Sequence, residues 1–143
     1  MALEYEDLLG QPYKLHGRLP EGLDCSTLWE EVQRRLGADP PATNPYRLLA
    51  SSGEQGEFED YLEEMASRFQ SLGSRLEDAS RPGDMILTTG GSCGAGRGLL
   101  TLADPALGLF LSCYPRGGVV ALTRDKVARA YASSILGVYR FLI

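Results

Sequence analysis

The chain has 143 residues, a length at which one domain can bury a substantial hydrophobic core. Its composition, 43% hydrophobic and 23% charged, is that of a globular protein. The net charge of −5 argues against nucleic acid or an anionic membrane surface as the main partner, and no apolar run is long enough to span a bilayer.

The acidic N-terminus lacks the apolar stretch of a secretory signal, so we expect synthesis in the cytoplasm. The three cysteines, Cys25, Cys93 and Cys113, are odd in number and do not have the spacing of metal ligands. We therefore expect no disulfide framework, no metal and no other cofactor.

The first half of the chain is predicted to be mainly helical. A short helix over residues 4–9 precedes a loop or extended segment over residues 11–18, and residues 38–56 form a connection rich in Pro, Gly, Ser, Ala and Asn. A long amphipathic helix is expected over residues 57–78. Its apolar side chains fall on one stripe, at Phe58, Tyr61, Leu62, Met65, Phe69, Leu72 and Leu76.

Another helix is predicted to begin at Cys25. Asp24 is a good N-cap, because its carboxylate can accept hydrogen bonds from the unpaired N–H groups of the first turn. Apolar residues then recur every four positions on one face, at Leu28, Val32 and Leu36. Gly37 ends the helix, and the two prolines that follow cannot continue it.

The second half is predicted to be a meander of short strands. The strands are expected over residues 85–89, 99–102, 109–113, 119–122 and 136–142, with a glycine-rich loop over 90–98 and a helix over 124–133. Helices followed by strands indicate an α+β fold, in which N-terminal helices pack on a C-terminal antiparallel β-sheet of about five strands. We expect a single domain covering residues 1–143.

Cys25 is the first candidate for chemistry. A thiol at a helix N-terminus is favoured as thiolate by the helix dipole, and thiolate is the nucleophilic form. The alternative is that Cys25 is a small buried hydrophobe, as most unpaired cysteines are. A cysteine nucleophile also needs a general base. The sequence contains one histidine, His16, which could be that base, a loop residue or part of a binding groove.

The glycine-rich loop suggests phosphate binding, because Gly94, Gly96 and Gly98 follow a strand. It lacks the Lys-Ser/Thr pair of a P-loop, and no helix follows whose N-terminus could face a phosphate. A flexible hairpin loop is the better interpretation, with Cys93 as an exposed thiol within it.

Several motifs, taken in order, resemble the NlpC family of papain-like cysteine peptidases. They are Gly10-Gln11-Pro12-Tyr13, Gly17, Gly22-Leu23-Asp24-Cys25-Ser26 and Pro82-Gly83-Asp84 followed by the strands. The resemblance runs from about residue 5 to residue 142, and Asp-Cys-Ser and Pro-Gly-Asp are its most specific parts. The predicted long helix, the short chain and the missing signal peptide look most similar to members encoded among bacteriophage tail genes and gene-transfer-agent clusters.

The resemblance implies a papain-like fold in which Cys25 opens peptide bonds of bacterial cell-wall stem peptides. Tyr13 would line the site, and Asp24 and Ser26 would flank the cysteine. Backbone N–H groups at the start of the helix would stabilise the oxyanion.

The chain departs from the family where the general base belongs. The family histidine begins the second strand, where this sequence has Arg97 and Gly98. A guanidinium stays protonated and glycine has no side chain, so neither can act as a base. Arg97 could instead hold Cys25 as thiolate or bind a carboxylate. The third-strand residue that orients the family histidine falls on Ser112.

These features predict a degenerate NlpC-like domain that is a structural or assembly component of a phage tail, at the tail tip or baseplate. It would be made in the cytoplasm and then enter the virion, where its partners are other tail proteins. The alternative is an active cysteine endopeptidase that cleaves peptidoglycan stem peptides during genome entry, with Cys25 as nucleophile and His16 as a displaced base. A third interpretation is a cytosolic domain that binds a small peptide or acyl group in the old cleft.

Overall fold

The computed structural model describes residues 3–43, 46–47, 56–89, 97–131 and 133–142. Within these ranges the α-helices are α1 (Cys25–Arg35), α2 (Phe58–Glu64) and α3 (Arg124–Tyr131). Single 3-10 turns lie at Glu6–Leu8, Ala66–Arg68 and Leu76–Asp78. Two short strands, β1 (Tyr46–Arg47) and β2 (Gly56–Glu57), pair in parallel.

Six further strands form one sheet, in which every neighbouring pair is antiparallel. They are β3 (Phe69–Gly73), β4 (Met85–Thr89), β5 (Arg97–Asp104), β6 (Leu109–Tyr114), β7 (Gly118–Thr123) and β8 (Ile135–Phe141). Their order across the sheet is β3-β8-β4-β5-β6-β7. The predicted α+β class with an antiparallel sheet is therefore confirmed, with six strands rather than about five.

The central strands of the sheet are buried on both faces. α1 packs against β5 and β6 on one face, while α3 packs against β6 and β7 on the other. Because side chains alternate along each strand, successive residues enter different clusters. The cluster on the α1 side includes Met85, Leu87 and Leu99, and the cluster on the α3 side includes Ile86, Leu100 and Phe110.

The helix predicted over residues 57–78 is wrong beyond its first two turns. α2 ends at Glu64, and residues 69–73 form the edge strand β3, which pairs with β8. Phe69 stacks on Trp29 with ring centroids 5.7 Å apart and lies edge-to-face with Phe141 at 5.2 Å. Gly73 has φ +132°, which a helix does not allow. Tertiary packing of Phe69 thus outweighs the helical spacing of the apolar residues.

Asp84, from the Pro-Gly-Asp motif, joins the start of β4 to β8. Its buried carboxylate receives two hydrogen bonds of 2.8 Å from the Arg140 guanidinium, and these hydrogen bonds raise the pKa of Arg140. The same carboxylate accepts the backbone N–H groups of Ser80 and Arg81. The motif therefore has a structural role that depends on a residue 56 positions away.

Two further expectations concern the glycine-rich loop and membrane-spanning helices. Most of the glycine-rich loop, residues 90–96 with Cys93, lies outside the described residues, and Arg97 and Gly98 already belong to β5. In the ranges that the structure does describe, no helix combines the length and hydrophobicity needed to cross a membrane.

Candidate functional site

The start of α1 is organised by the Asp24 carboxylate, as the sequence predicts. Oδ1 accepts hydrogen bonds from the backbone N–H groups of Ser26 (2.9 Å) and Thr27 (2.8 Å). The Thr27 hydroxyl in turn accepts the backbone N–H of Asp24 at 2.9 Å, which completes a capping box. These contacts set the orientation of the first turn, where Cys25 is the first helical residue.

Cys25 lies inside the hydrophobic core. Its exposed fraction is 1%, and it belongs to the cluster that also contains Trp29 of α1 and Phe58 and Tyr61 of α2. Tyr61, a member of this cluster, donates a hydrogen bond from its hydroxyl to the Pro41 carbonyl at 2.7 Å. These apolar neighbours are the ones expected of a packing cysteine.

Tyr139 lies at the edge of the same cluster. Burial, with a smaller contribution from the Glu59 carboxylate, raises the pKa of Tyr139 above its usual value. Its phenol therefore stays protonated at neutral pH and cannot serve as a base there.

His16 is held beside the helix start by Asp24. The backbone N–H of His16 donates to Asp24 Oδ2 at 2.7 Å, and the imidazole Nδ1 lies 3.8 Å from the same oxygen. The residue has φ +56°, a conformation that is uncommon for residues other than glycine, although asparagine, aspartate and histidine adopt it more often than the rest. Asp24 thus stabilises a turn that brings the histidine to the N-terminal end of α1.

Tyr13 belongs to the same end of the molecule. It forms an isolated parallel bridge with Leu23, supported by hydrogen bonds of 3.0 Å from Lys14 N–H to the Leu23 carbonyl and from Leu23 N–H to the Pro12 carbonyl. The structure therefore brings Tyr13, His16 and Asp24 together along the segment that leads into Cys25.

Ser26 is buried and donates its hydroxyl to Asp24 Oδ1 at 2.8 Å. It strengthens the cap and does not face a cleft. Arg97 is the first residue of β5 and pairs with Thr89, but its side chain lies outside the described part of the structure.

Ser112 lies on the wrong face of the sheet to orient a group near Cys25. Its neighbours Leu111 and Cys113 pack on the α1 side, so alternation directs Ser112 to the α3 side, where Phe110 also packs. The β6 residue that approaches the Cys25 segment is Cys113, whose thiol donates to the Leu23 carbonyl at 3.0 Å. Strand alternation from Leu111 could have indicated this from the sequence.

A buried carboxylate that the sequence analysis did not single out stabilises this end of the protein. Glu30 is 1% exposed and lies 3.2 Å from Arg18 Nη2 and 3.5 Å from Arg34 Nη1. It also accepts the backbone N–H of Thr43 at 3.0 Å and the Thr43 hydroxyl. The spacing of Glu30 and Arg34 is visible in the sequence, but the contacts with Arg18 and Thr43 depend on the fold.

Comparison with known proteins gives no family assignment, since neither the protein-family models nor the curated protein sequences contain a match to this chain. Among the described residues, no three His, Cys, Asp or Glu side chains are grouped so that they could hold a metal ion.

Proposed function

We propose that this chain is a degenerate NlpC-like domain that serves as a structural component of a phage tail or tail-like particle. It would dock at the tail tip or baseplate through contacts with other tail proteins and would not hydrolyse peptidoglycan. The observation that carries the proposal is the burial of Cys25 in the hydrophobic cluster that also contains Trp29, Phe58 and Tyr61.

A nucleophile must approach the substrate carbonyl to about 3–3.5 Å in a near-attack geometry. A residue that is 1% exposed cannot make this approach unless the atoms packed around it move away. The lack of a histidine at the start of β5, where the resembled family has its base, also supports a domain that no longer catalyses. The tail context is supported by the sequence resemblance alone.

Particle assembly tests this proposal. In the phage or particle that encodes the chain, deletion should stop assembly, and wild type, Cys25→Ala and His16→Asn should each restore it. Asn is the matched substitution because it tolerates the positive φ of His16. Normal particles from the deletion strain would overturn the structural role, as would particles that form but fail to infect when only Cys25 is changed.

A second candidate is the active endopeptidase, which the placement of His16 favours. The backbone of His16 is hydrogen-bonded to Asp24, the residue before Cys25, and its imidazole Nδ1 lies 3.8 Å from that buried carboxylate, so a small movement could give the hydrogen bond that orients a general base. This candidate predicts that Cys25→Ser abolishes turnover and that His16→Asn lowers it by about 10²- to 10⁴-fold. Unchanged turnover in His16→Asn would rule out the displaced base.

A further inference from the structure

We propose that a groove beside α3 binds a second copy of this chain, through an acidic patch near the N-terminus of that copy. The α3 groove is lined by Tyr114, Leu122, Lys126, Arg129, Ala130 and Tyr131. The N-terminal patch consists of Glu4, Glu6 and Leu9. This inference deepens the proposed assembly role by naming one interface and its occupant.

The α3 groove has an apolar floor and a cationic rim. It is shallow and open to solvent, has a volume of about 440 Å³ and contains a hydrogen bond of 3.1 Å between the hydroxyls of Tyr114 and Tyr131. Arg129 pairs with Asp125 one turn earlier on α3. The exposed Lys126 ammonium has no ion-pair partner among the residues that the structure describes.

The charge of this region is opposite to that of the rest of the chain. Residues 105–143 carry five Lys and Arg side chains against one acid, Asp125, a net charge of +4 that leaves −9 on residues 1–104. Such separation makes the cationic end of one copy electrostatically complementary to the acidic surface of another.

The N-terminal patch has the chemistry that fits the groove. Leu9 is 40% exposed and could fill the apolar floor, while the exposed carboxylates of Glu4 and Glu6 could meet the cationic rim. Within the described structure Glu4 has no ion-pair partner, whereas Arg35 binds the neighbouring Asp7. We therefore assign Glu4 and Glu6, and not Asp7, to the contact with Lys126.

Both surfaces border the edge strand β7, which favours a reciprocal contact. Gly10, next to Leu9, donates its backbone N–H to the Val119 carbonyl of β7 at 2.9 Å. Leu122 of the groove belongs to β7, and α3 follows that strand directly. Two copies related by a two-fold axis could thus each insert a patch into the other's groove, which gives a closed dimer.

Sedimentation equilibrium of the purified protein tests this inference. We expect a dimer whose Kd rises about tenfold or more between about 50 mM and about 500 mM salt, because screening weakens the charge contacts. Lys126→Glu and Glu4→Lys should each raise the Kd about tenfold or more, and the double variant should restore association. Lys14→Glu is the matched control and should leave the Kd unchanged, since Lys14 pairs with Glu21 away from the groove.

A monomer at protein concentrations up to about 1 mM would overturn the inference. So would a dimer whose Kd is the same in wild type and Lys126→Glu, with circular dichroism showing that both are folded. Either result would leave the tail-assembly proposal standing, because that proposal is tested in particles and needs no self-association.

Discussion

Asp24 determines the local structure around the candidate nucleophile. Its carboxylate caps α1 through Ser26 and Thr27 and accepts the backbone N–H of His16. A helix cap alone contributes about 1 kcal/mol, and a hydrogen bond to a charged group contributes about 1.5–3 kcal/mol. Asp24 is buried, so water cannot replace these contacts when the side chain is removed.

We predict graded losses of stability at this position. Asp24→Ala should lower the free energy of unfolding by about 3 kcal/mol, because it removes the cap and the acceptor for His16. Asp24→Asn retains Oδ1 for the cap but replaces the acceptor for the His16 N–H by an amide donor, and it should cost about 2 kcal/mol. Urea unfolding followed by the fluorescence of Trp29, the only tryptophan, measures both changes.

Ser26→Ala is the control for this series. It removes one hydroxyl contact with Asp24 and should cost about 1 kcal/mol or less. If Asp24→Ala were as stable as Ser26→Ala, the carboxylate would not hold the His16 turn.

At the residue scale, the sequence predicts the helix cap at Asp24 better than it predicts the orientation of Ser112 or the burial of Cys25. The cap at Asp24 follows from local rules, because the acceptor and its N–H donors lie within three residues. The side of the sheet that Ser112 faces depends on strand parity relative to α1, and the burial of Cys25 depends on α2, a separate element. The burial of Cys25 therefore cannot be deduced from the residues near it, whereas the face that Ser112 occupies follows from strand alternation once Leu111 is placed against α1.

The contact between the N-terminal segment and β7 depends on the glycine turn that precedes β7. Gly117 and Gly118 both have positive φ, +96° and +69°. A Cβ at Gly117 would meet no atom within 4 Å, whereas a Cβ at Gly118 would overlap the Gln11 carbonyl oxygen. That carbonyl accepts the Val119 N–H at 2.9 Å and so joins the N-terminal segment to the sheet edge.

Two matched substitutions separate backbone strain from this close approach. Gly117→Ala should lower the free energy of unfolding by about 1 kcal/mol, the usual effect of placing alanine at positive φ. Gly118→Ala should cost about 2 kcal/mol more, because Gln11 must move away from β7. Urea unfolding gives the stabilities, and hydrogen exchange of the Val119 amide should accelerate only in Gly118→Ala. Equal losses in the free energy of unfolding for the two variants would contradict the close approach of Gly118 to the Gln11 carbonyl.

At the element scale, the strand prediction succeeds where alternation and turn residues agree. The strand predicted over residues 85–89 is β4 with the same bounds, and the strands predicted over residues 109–113 and 119–122 lie within β6 and β7. Residues 69–73 fail because their apolar spacing also fits a helix. Their strand conformation depends on β8, which lies more than sixty residues later in the chain.

Across the whole molecule, the pair of Asp84 and Arg140 connects distant parts of the sheet. Asp84 is fully buried, and the Arg140 side chain is 17% exposed. Removing one partner of a buried pair leaves an uncompensated charge, which costs about 3–5 kcal/mol.

Arg140→Met should therefore lower the free energy of unfolding by about 3 kcal/mol or more in urea denaturation. Lys14→Met breaks the exposed pair with Glu21 and should cost no more than about 1 kcal/mol. Similar losses in the two variants would show that the buried pair has no special role.

At this largest scale, composition and element order suffice to predict an α+β protein with an antiparallel sheet. They do not give the strand order, in which the last strand inserts between β3 and β4. That insertion places Phe69 and Phe141 over Trp29, and it therefore completes the core that encloses Cys25.

Our proposal of an assembly domain without hydrolytic activity depends on the burial of Cys25. Incubation of the folded protein with cell-wall muropeptides, read by mass spectrometry, tests it most directly, with Cys25→Ala beside it and an active cell-wall endopeptidase as positive control. We predict that wild type and Cys25→Ala leave the muropeptides equally intact over many hours. Cleavage by wild type that disappears in Cys25→Ala would contradict the account and would make His16 the first residue to test as the base.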